Sequence, residues 1–370
     1  MKKFIIVSLI VLASIGLLLA AVWFLPRPVG PWKNQPASTG YVGAFEKNNA
    51  LDQLSYLDLY GYTHPETVLV RDGWIYASVK DGVLLRMRED GGAQEVLLDT
   101  GGCLLGFDFD AAGNILIADC NYGGSGALLR VAPGGSAAPE VLLNRSAGFP
   151  LCYPNDVAVA SDGTVYLSDS TAVFSPAKFG NSSSAAAAEE TMMHTCSGRV
   201  IAFHPDTGKA EVIAGGFAFA NGLALSADEK SLFVSETYAN AIRRIDLASH
   251  EVTPFLDNLP GFCDNVSKGL DGRYWVGLNG ARSDALDAIS DKPFVRKIAW
   301  ILSKLSPAAE DPAAGYCHVF AFAEDGTITE SLQSGANGYY RSTGAAETPA
   351  RLYIESINDS GRLAYIARGE

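Results

Sequence analysis

Two kinds of hydrophobic patterning divide the chain. Lys2 and Lys3 lead into an uncharged apolar run from Phe4 to about Leu25. A helix needs roughly 20 such residues to cross a bilayer core, whereas a cleaved signal peptide has an apolar stretch of about 7–15. The run predicts a transmembrane signal-anchor over residues 1–25, with Ala20 and Ala21 leaving cleavage as the alternative. The two lysines favour a cytoplasmic N-terminus. The expectation is a single-pass type II protein whose remainder lies in the periplasm, the exterior or a lumen. Pro26, Pro28, Gly30 and Pro31 open a stiff stalk expected over 26–53.

Beyond the stalk a short apolar strand repeatedly runs into an acidic or glycine turn and a second apolar strand. Val68–Val70, Arg71-Asp72-Gly73 and Trp74–Ala77 make the first copy. Gly106–Phe109 with Ile115–Ala118, Val157–Val159 with Val165–Ser168, Leu223–Leu225 with Leu232–Ser235, and Val266–Lys268 with Tyr274–Gly277 continue the series. Ser356–Ile357, Asp359–Gly361 and Leu363–Ala367 make a weaker sixth. Hairpins of a second kind alternate with these, such as Val200–Phe203 with Ala210–Ile213. Two hairpins per repeat give four-stranded units, the arrangement of a propeller blade. The predicted fold is all-β, a six-bladed β-propeller over 54–370 with an N-terminal transmembrane helix and a short helical insertion. Leu54–Tyr60 is expected to pair with the last blade and close the ring, removing open edges. A two-sheet sandwich is the alternative, but it does not require one hairpin type at regular spacing.

Two insertions interrupt the rhythm. Ser170–Ser197 is polar and rich in Ala and Ser, which predicts a loop over one face. In Ala281–Leu305, apolar residues from Leu286 to Leu305 recur at three- and four-residue steps, the helical period. That stretch also carries Arg296, Lys297 and Lys304, and reads as a lid, a membrane-touching helix or a helix packed on the rim.

Candidate chemistry stands at the start of the inner strands. Six or seven residues before the acidic turn residue come Glu66, Asn155, Asn221 and Asp264, the last with Asn265 beside it. Repetition in register predicts these side chains at one level around the central tunnel. Glu66 and Asp264 would balance a hard divalent ion, and Asn155, Asn221 and Asn265 would add neutral oxygens. Calcium takes 6–8 such ligands. No Cys or His occupies these slots, which disfavours zinc and copper. Asn and Asp also suit turn starts for backbone reasons, which is the competing explanation. Leu104, Leu105 and Gly106 break the series in the second blade, where an apolar wall is expected.

The net charge of −13 argues against a nucleic-acid partner, because phosphates need a basic face. Six scattered cysteines form no CxxC pair, so no zinc site is expected. If Ala111–Ala112 is a two-residue turn, Cys103 falls opposite Cys120, either as a disulfide or as two buried thiols.

Several runs carry a family resemblance. They are Tyr153-Pro-Asn-Asp-Val with Asp162-Gly-Thr-Val-Tyr-Leu-Ser-Asp, Phe219-Ala-Asn-Gly-Leu, Val234-Ser-Glu-Thr-Tyr, and Leu259-Pro-Gly-Phe-Cys-Asp-Asn-Val. Over about residues 60–370 the chain resembles the strictosidine-synthase-like family. The resemblance implies a six-bladed propeller on a type II anchor. It also implies kinship with paraoxonases and gluconolactonases, which hydrolyse lactones and esters at a tunnel calcium. Their ligand pattern carries over to Glu66, Asn155, Asn221, Asp264 and Asn265. The second calcium of paraoxonases needs an acidic pair in the first blade, and here Thr67 follows Glu66. Plant strictosidine synthases instead condense an amine with an aldehyde without metal, through a glutamate in the last blade, near which Glu355 lies.

The leading expectation is therefore calcium-dependent hydrolysis of a small-molecule ester or lactone. Glu355, His194 and His64 are the candidates for the base that activates water. For each histidine a surface position is the plainer alternative. A membrane-anchored scaffold propeller with a structural calcium, and a metal-free condensation, are the two other functions in view.

Overall fold

The computed structural model of the chain describes every residue other than 1, 25–29, 31–35, 136–137, 306–314, 359 and 370, with backbone alone for 2–4. Pro26, Pro28 and Pro31 of the expected stalk, and turn residue Asp359, lie outside the described residues.

Six four-stranded antiparallel sheets follow one another along the chain. Their inner strands are Thr67–Arg71, Leu104–Phe109, Pro154–Val159, Ala220–Leu225, Gly261–Lys268 and Ser342–Glu347. Each inner strand touches the next, and the sixth returns to the first, which closes a six-bladed propeller. Tight turns make the hairpins. Asp72 and Gly73 have φ of 53° and 73°, and Asp271 and Gly272 have 53° and 74°. Left-handed φ at both central residues is the type I′ turn that matches strand twist.

The ring closes as the alternation predicted. Ser55–Asp58 pairs with Arg362–Ala367, Ser55 opposite Tyr365 and Asp58 opposite Arg362. The N-terminal strand thus supplies the outer edge of blade six. Leu57 and Leu59 carry the closure, packing with Val68 and Ile75 of blade one and Tyr353 and Leu363 of blade six. Burying one such leucine contributes about 1.5–3 kcal/mol.

The sixth repeat corrects the sequence reading. Its inner hairpin is Ser342–Glu347 with Arg351–Ser356, and Arg362–Ala367 is the third strand. Ser342-Thr-Gly-Ala-Ala-Glu lacks the bulky apolar signature because its neighbour leaves little room. A Cβ on Gly277 would stand 2.3 Å from the Thr343 carbonyl carbon.

Among the described residues four α-helices accompany the sheets: α1 (Lys2–Trp23), α2 (Ser183–Met193), α3 (Asp284–Ala288) and α4 (Pro293–Leu305). Within α1, Ile5–Trp23 is long and apolar enough to cross a membrane. The 170–197 insertion was expected as a loop, yet it contains α2. Its alanine run has high intrinsic helix propensity, and Ser182 caps it by accepting from the Ala185 N–H at 3.2 Å. The second insertion is helical as its periodicity predicted. Pro293 opens α4, a position where its missing N–H costs nothing.

Candidate functional site

Five of the six inner strands are deformed at the same place. In blades two to six the register slips by one residue, so that two inner-strand residues oppose one on the second strand. The pairs are Leu105-Gly106, Asn155-Asp156, Asn221-Gly222, Asp264-Asn265 and Thr343-Gly344. A β-bulge of this kind re-aims side chains at a rim. In blade one the register is unbroken, with Thr67 opposite Ser78 and the Glu66 N–H on the Ser78 carbonyl at 3.0 Å. The Thr67 N–H donates to Ser78 Oγ at 3.2 Å, just as the Asp156 N–H donates to Ser168 Oγ at 2.9 Å. The repeated bulge is the local cause of a repeated site.

Side chains of four blades meet at this level. Asp264 Oδ1 accepts from Asn221 Nδ2 at 2.5 Å, and Oδ2 accepts from Asn279 Nδ2 at 2.6 Å. Asn265 Nδ2 donates to the Glu66 carbonyl at 3.0 Å and faces Glu66 Oε1 at 3.3 Å. Asn155 Nδ2 donates to Ser170 Oγ, whose hydroxyl donates to the carbonyl beside Asn221. Glu66, Asn155, Asn221, Asp264 and Asn265 are all buried. With their amides turned this way, Asn155, Asn221 and Asn265 each keep a buried Oδ1 that accepts no hydrogen bond among the described residues. No group of three or more His, Cys, Asp or Glu side chains arranged to hold a metal occurs among those residues.

Glu355 reaches the same cluster from the second strand of blade six. It stands opposite the Thr343-Gly344 bulge, where other blades place Ser78, Ala118, Ser168, Ser235 or Gly277. Its Oε1 accepts from the Val68 N–H at 3.0 Å and its Oε2 lies 3.4 Å from Asn265 Nδ2. Glycine at 344 leaves room for this carboxylate, because a Cβ there would meet Glu355 Oε2 at 2.2 Å.

Asp156 is the residue that the sequence reading missed. It is 6% exposed and accepts from the Val157 and Leu223 N–H groups at 2.8 and 2.7 Å. A Cβ on Gly106 would come within 1.9 Å of its Oδ1. The departure in blade two thus makes room for a carboxylate from blade three. The Asn155-Asp156 pair, a mirror of Asp264-Asn265, was the available signal.

Four carboxylates are therefore buried together, and none has an Lys or Arg partner among the described residues. Burial, reinforced by the Asp264 charge, pushes Glu66 well above the usual carboxylate range. Burial raises Asp264 to about 6, Asp156 to about 7 and Glu355 to about 8. Like charges in low dielectric disfavour joint ionisation.

An apolar layer covers this oxygen layer on one side. Tyr153, Phe219 and Phe262 stand two residues ahead of Asn155, Asn221 and Asp264. They pack with Leu105, Tyr238, Ala186 and Met193 of α2, and Trp300 of α4. The two helices form a roof over that end of the tunnel. Trp300 Nε1 donates to Glu189 Oε2 at 2.8 Å and ties them together. On the other side of the cluster a pocket lined by Leu69, Asp108, Val159, Leu225 and Lys268 leads to Asp156, Asn265 and Glu355.

The two histidines lie differently. His64 stands two residues before Glu66, as Tyr153 does before Asn155, with φ of 56° and its N–H on the Asn358 carbonyl at 3.3 Å. His194 caps the C-terminus of α2 and lines an outer cleft with Cys196, Phe217, Glu236, Arg243 and Asn258. Burial, with the nearby Arg296 charge, lowers its pKa to about 3. The structure does not bring it into the carboxylate cluster.

Cys103 does lie opposite Cys120, whose N–H donates to the Cys103 carbonyl at 3.0 Å, and both are thiols. The route differs from expectation. The turn is one residue longer, with Asp110 N–H on the Asn114 carbonyl, and the Leu105-Gly106 bulge cancels the shift.

Other buried acids serve the scaffold. Asp169 accepts from the Cys152 and Tyr153 N–H groups at 3.1 and 2.6 Å and pairs with Arg199 at 2.8 Å. It anchors the strand that presents Asn155. Asp169→Ala strands a mostly buried guanidinium and two amides, and is expected to cost about 3–5 kcal/mol, read as a lower urea midpoint at unchanged m-value.

Residues 43–87 match the N-terminal family model of strictosidine synthase-like proteins, and 155–249 match that of strictosidine synthase. Adipocyte plasma membrane-associated protein of Danio rerio is 27% identical over 368 residues, covering 92% of this chain and 84% of its own. A strictosidine synthase-like protein of Arabidopsis thaliana is 27% identical over 75% of this chain and 70% of its own. A gluconolactonase of Xanthomonas campestris superposes with TM-score 0.57 at 20% identity, over 93% of this chain and 99% of that one. The calcium-binding protein regucalcin of Agrobacterium tumefaciens gives 0.55 at 13% identity, over 86% and 96%. At such identities the structural likenesses show the fold.

Proposed function

We propose, from the premise that this is a strictosidine-synthase-like propeller, that it hydrolyses a small-molecule carboxylic ester or lactone at a calcium ion held on the propeller axis. The donor set carries the reading. Among the described residues, three buried amide oxygens without a donor stand beside two carboxylates without a cation. A buried unsatisfied polar group costs about 1–3 kcal/mol, and one hard divalent ion relieves several together. Asn155, Asn221 and Asn265 would ligate through Oδ1, and Glu66 and Asp264 would balance the charge. Bound calcium would supply Lewis-acid polarisation of the substrate carbonyl.

The chain's own groups handle the proton. Glu355 and Asp156 titrate near neutral pH, where a general acid–base group is most effective. Glu355 is the preferred base, because it reaches Asn265 past Gly344. Tyr153, Phe219 and Phe262 would hold the apolar part of the substrate and exclude water. His194, turned to the outer cleft, suits the task less well. The same position of Glu355, in the last blade, also favours a second reading, condensation without metal.

The test uses the full chain in detergent, with bound-metal analysis and a panel of phenyl acetate and simple lactones. The expected result is stoichiometric calcium, hydrolysis lost on chelation, and recovery on adding calcium. Hydrolysis that survives full chelation refutes the calcium mechanism, and metal-free amine–aldehyde condensation would support the second reading. Bound calcium with no turnover of any panel member favours the scaffold.

A further inference from the structure

We infer that α4 is a membrane-docking helix that rests the tunnel roof on the bilayer entered by α1. At about 100° per residue, α4 presents three distinct faces. Arg296, Trp300 and Lys304 face α2. Trp300 meets Glu189 as above, Lys304 Nζ meets Glu189 Oε1 at 2.6 Å, and Arg296 Nη1 lies 3.5 Å from the Met192 carbonyl. Phe294 and Lys297 face α1. The Phe294 ring lies 5.6 Å from that of Trp23, and Lys297 Nζ lies 3.4 Å from the Trp23 carbonyl. Val295, Ile298, Leu302 and Leu305 recur at three- and four-residue steps on the side opposite α2. Of these, Val295, Leu302 and Leu305 are 40%, 57% and 77% exposed.

Scattered exposed leucines are ordinary. A continuous apolar stripe on a helix whose other faces are occupied is the pattern of an interfacial helix. Lipid is the occupant because α1 stands beside the stripe. Only 6% of the most apolar window of α1 is buried. Its last residue is Trp23, a residue type that favours the headgroup level. Contact with Phe294 and Lys297 sets α4 at the boundary where α1 would leave the membrane.

Gly30 is also seated against the roof. The Gly30 N–H donates to the Met193 carbonyl at 3.0 Å, and the Gly30 carbonyl accepts from Arg296. A Cβ at 30 would fall 2.1 Å from the His194 carbonyl oxygen, so this backbone lies tight against the roof. Charge agrees with the placement. In a chain of net charge −13, α4 carries no acid, so its outward face puts no like charge against anionic headgroups.

The test reconstitutes the full chain in nanodiscs of phosphatidylcholine and phosphatidylserine, with and without brominated acyl chains. Leu302→Trp and Leu305→Trp each add a reporter to the stripe. Leu270→Trp adds one in the turn at the far end of the blade-five inner strand, where Leu270 is 37% exposed. Brominated lipid is expected to quench most of the added emission at 302 and 305 and little at 270. Equal quenching at all three, or none at 302 and 305, overturns the proposal. A second copy on the stripe would give no lipid quenching, and Leu302→Asp with Leu305→Asp would turn a dimer into a monomer. That outcome overturns it as well. These side chains are exposed, so the substitutions spare the core, and circular dichroism verifies the fold.

Discussion

Asp264→Asn and Glu66→Ala are each expected to abolish ester hydrolysis while leaving a folded propeller. A catalytic ion contributes several kcal/mol of charge stabilisation. At about 1.4 kcal/mol per decade, its loss lowers the rate on the order of 10³-fold. The same variants should lose the thermal shift produced by calcium, which for the parent protein is worth about 2.7 kcal/mol at a hundred times the dissociation constant. Without calcium they should be no less stable than the parent. Each removes a buried carboxylate whose ionisation the site resists. That combination separates loss of a ligand from loss of the fold. Normal hydrolysis and a normal calcium shift in both variants would refute the axial site. Both measurements belong on the same preparations, together with metal analysis.

Cation-free protein should lose stability steadily as pH rises from about 4 to about 8. The sign follows from the raised carboxylates. In the unfolded chain they titrate near their ordinary values of 3.8 and 4.5, whereas folded Asp264, Asp156 and Glu355 titrate at about 6, 7 and 8. Between those limits the folded state binds more protons, so alkali favours unfolding. Their contribution is fully present below the unfolded values and gone above the folded ones. At about 1.4 kcal/mol per unit, the total is on the order of 10 kcal/mol. Calcium should reverse the slope above neutrality, because metal binding needs deprotonated ligands. Urea midpoints from pH 4 to 9, with chelator and with calcium, measure both curves. Glu355→Gln should flatten the upper part of the chelated curve. A chelated midpoint that stays level from pH 5 to 8 would contradict the carboxylate cluster.

Much of this was legible before any coordinates. The repeated hairpins carried the blade count, because strand alternation and turn chemistry are local. The closing strand was legible too, since Leu57 and Leu59 need a partner sheet. Asn155, Asn221 and Asp264 stood out because each occupies the same step of its strand. Asp156 did not, because its meaning lies in the space that Gly106 leaves in the neighbouring blade. The expected loop that became α2 shows a similar limit. An Ala/Ser composition suits a solvated loop or a helix, and here Trp300 and Tyr238 cover one face of it.

The sequence by itself determined the apolar N-terminal segment, the four-stranded repeat, the ring and the oxygen-bearing steps of its inner strands. These rest on periodicity, turn geometry and side-chain chemistry, which act over a few residues. Only the tertiary structure decided that a bulge in five of the six blades turns those steps inward, that Asp156 and Glu355 join them, and that α2 and α4 roof the result. Those features depend on the backbone of one blade yielding space to the side chain of another, and contacts between residues far apart in the chain leave no local pattern.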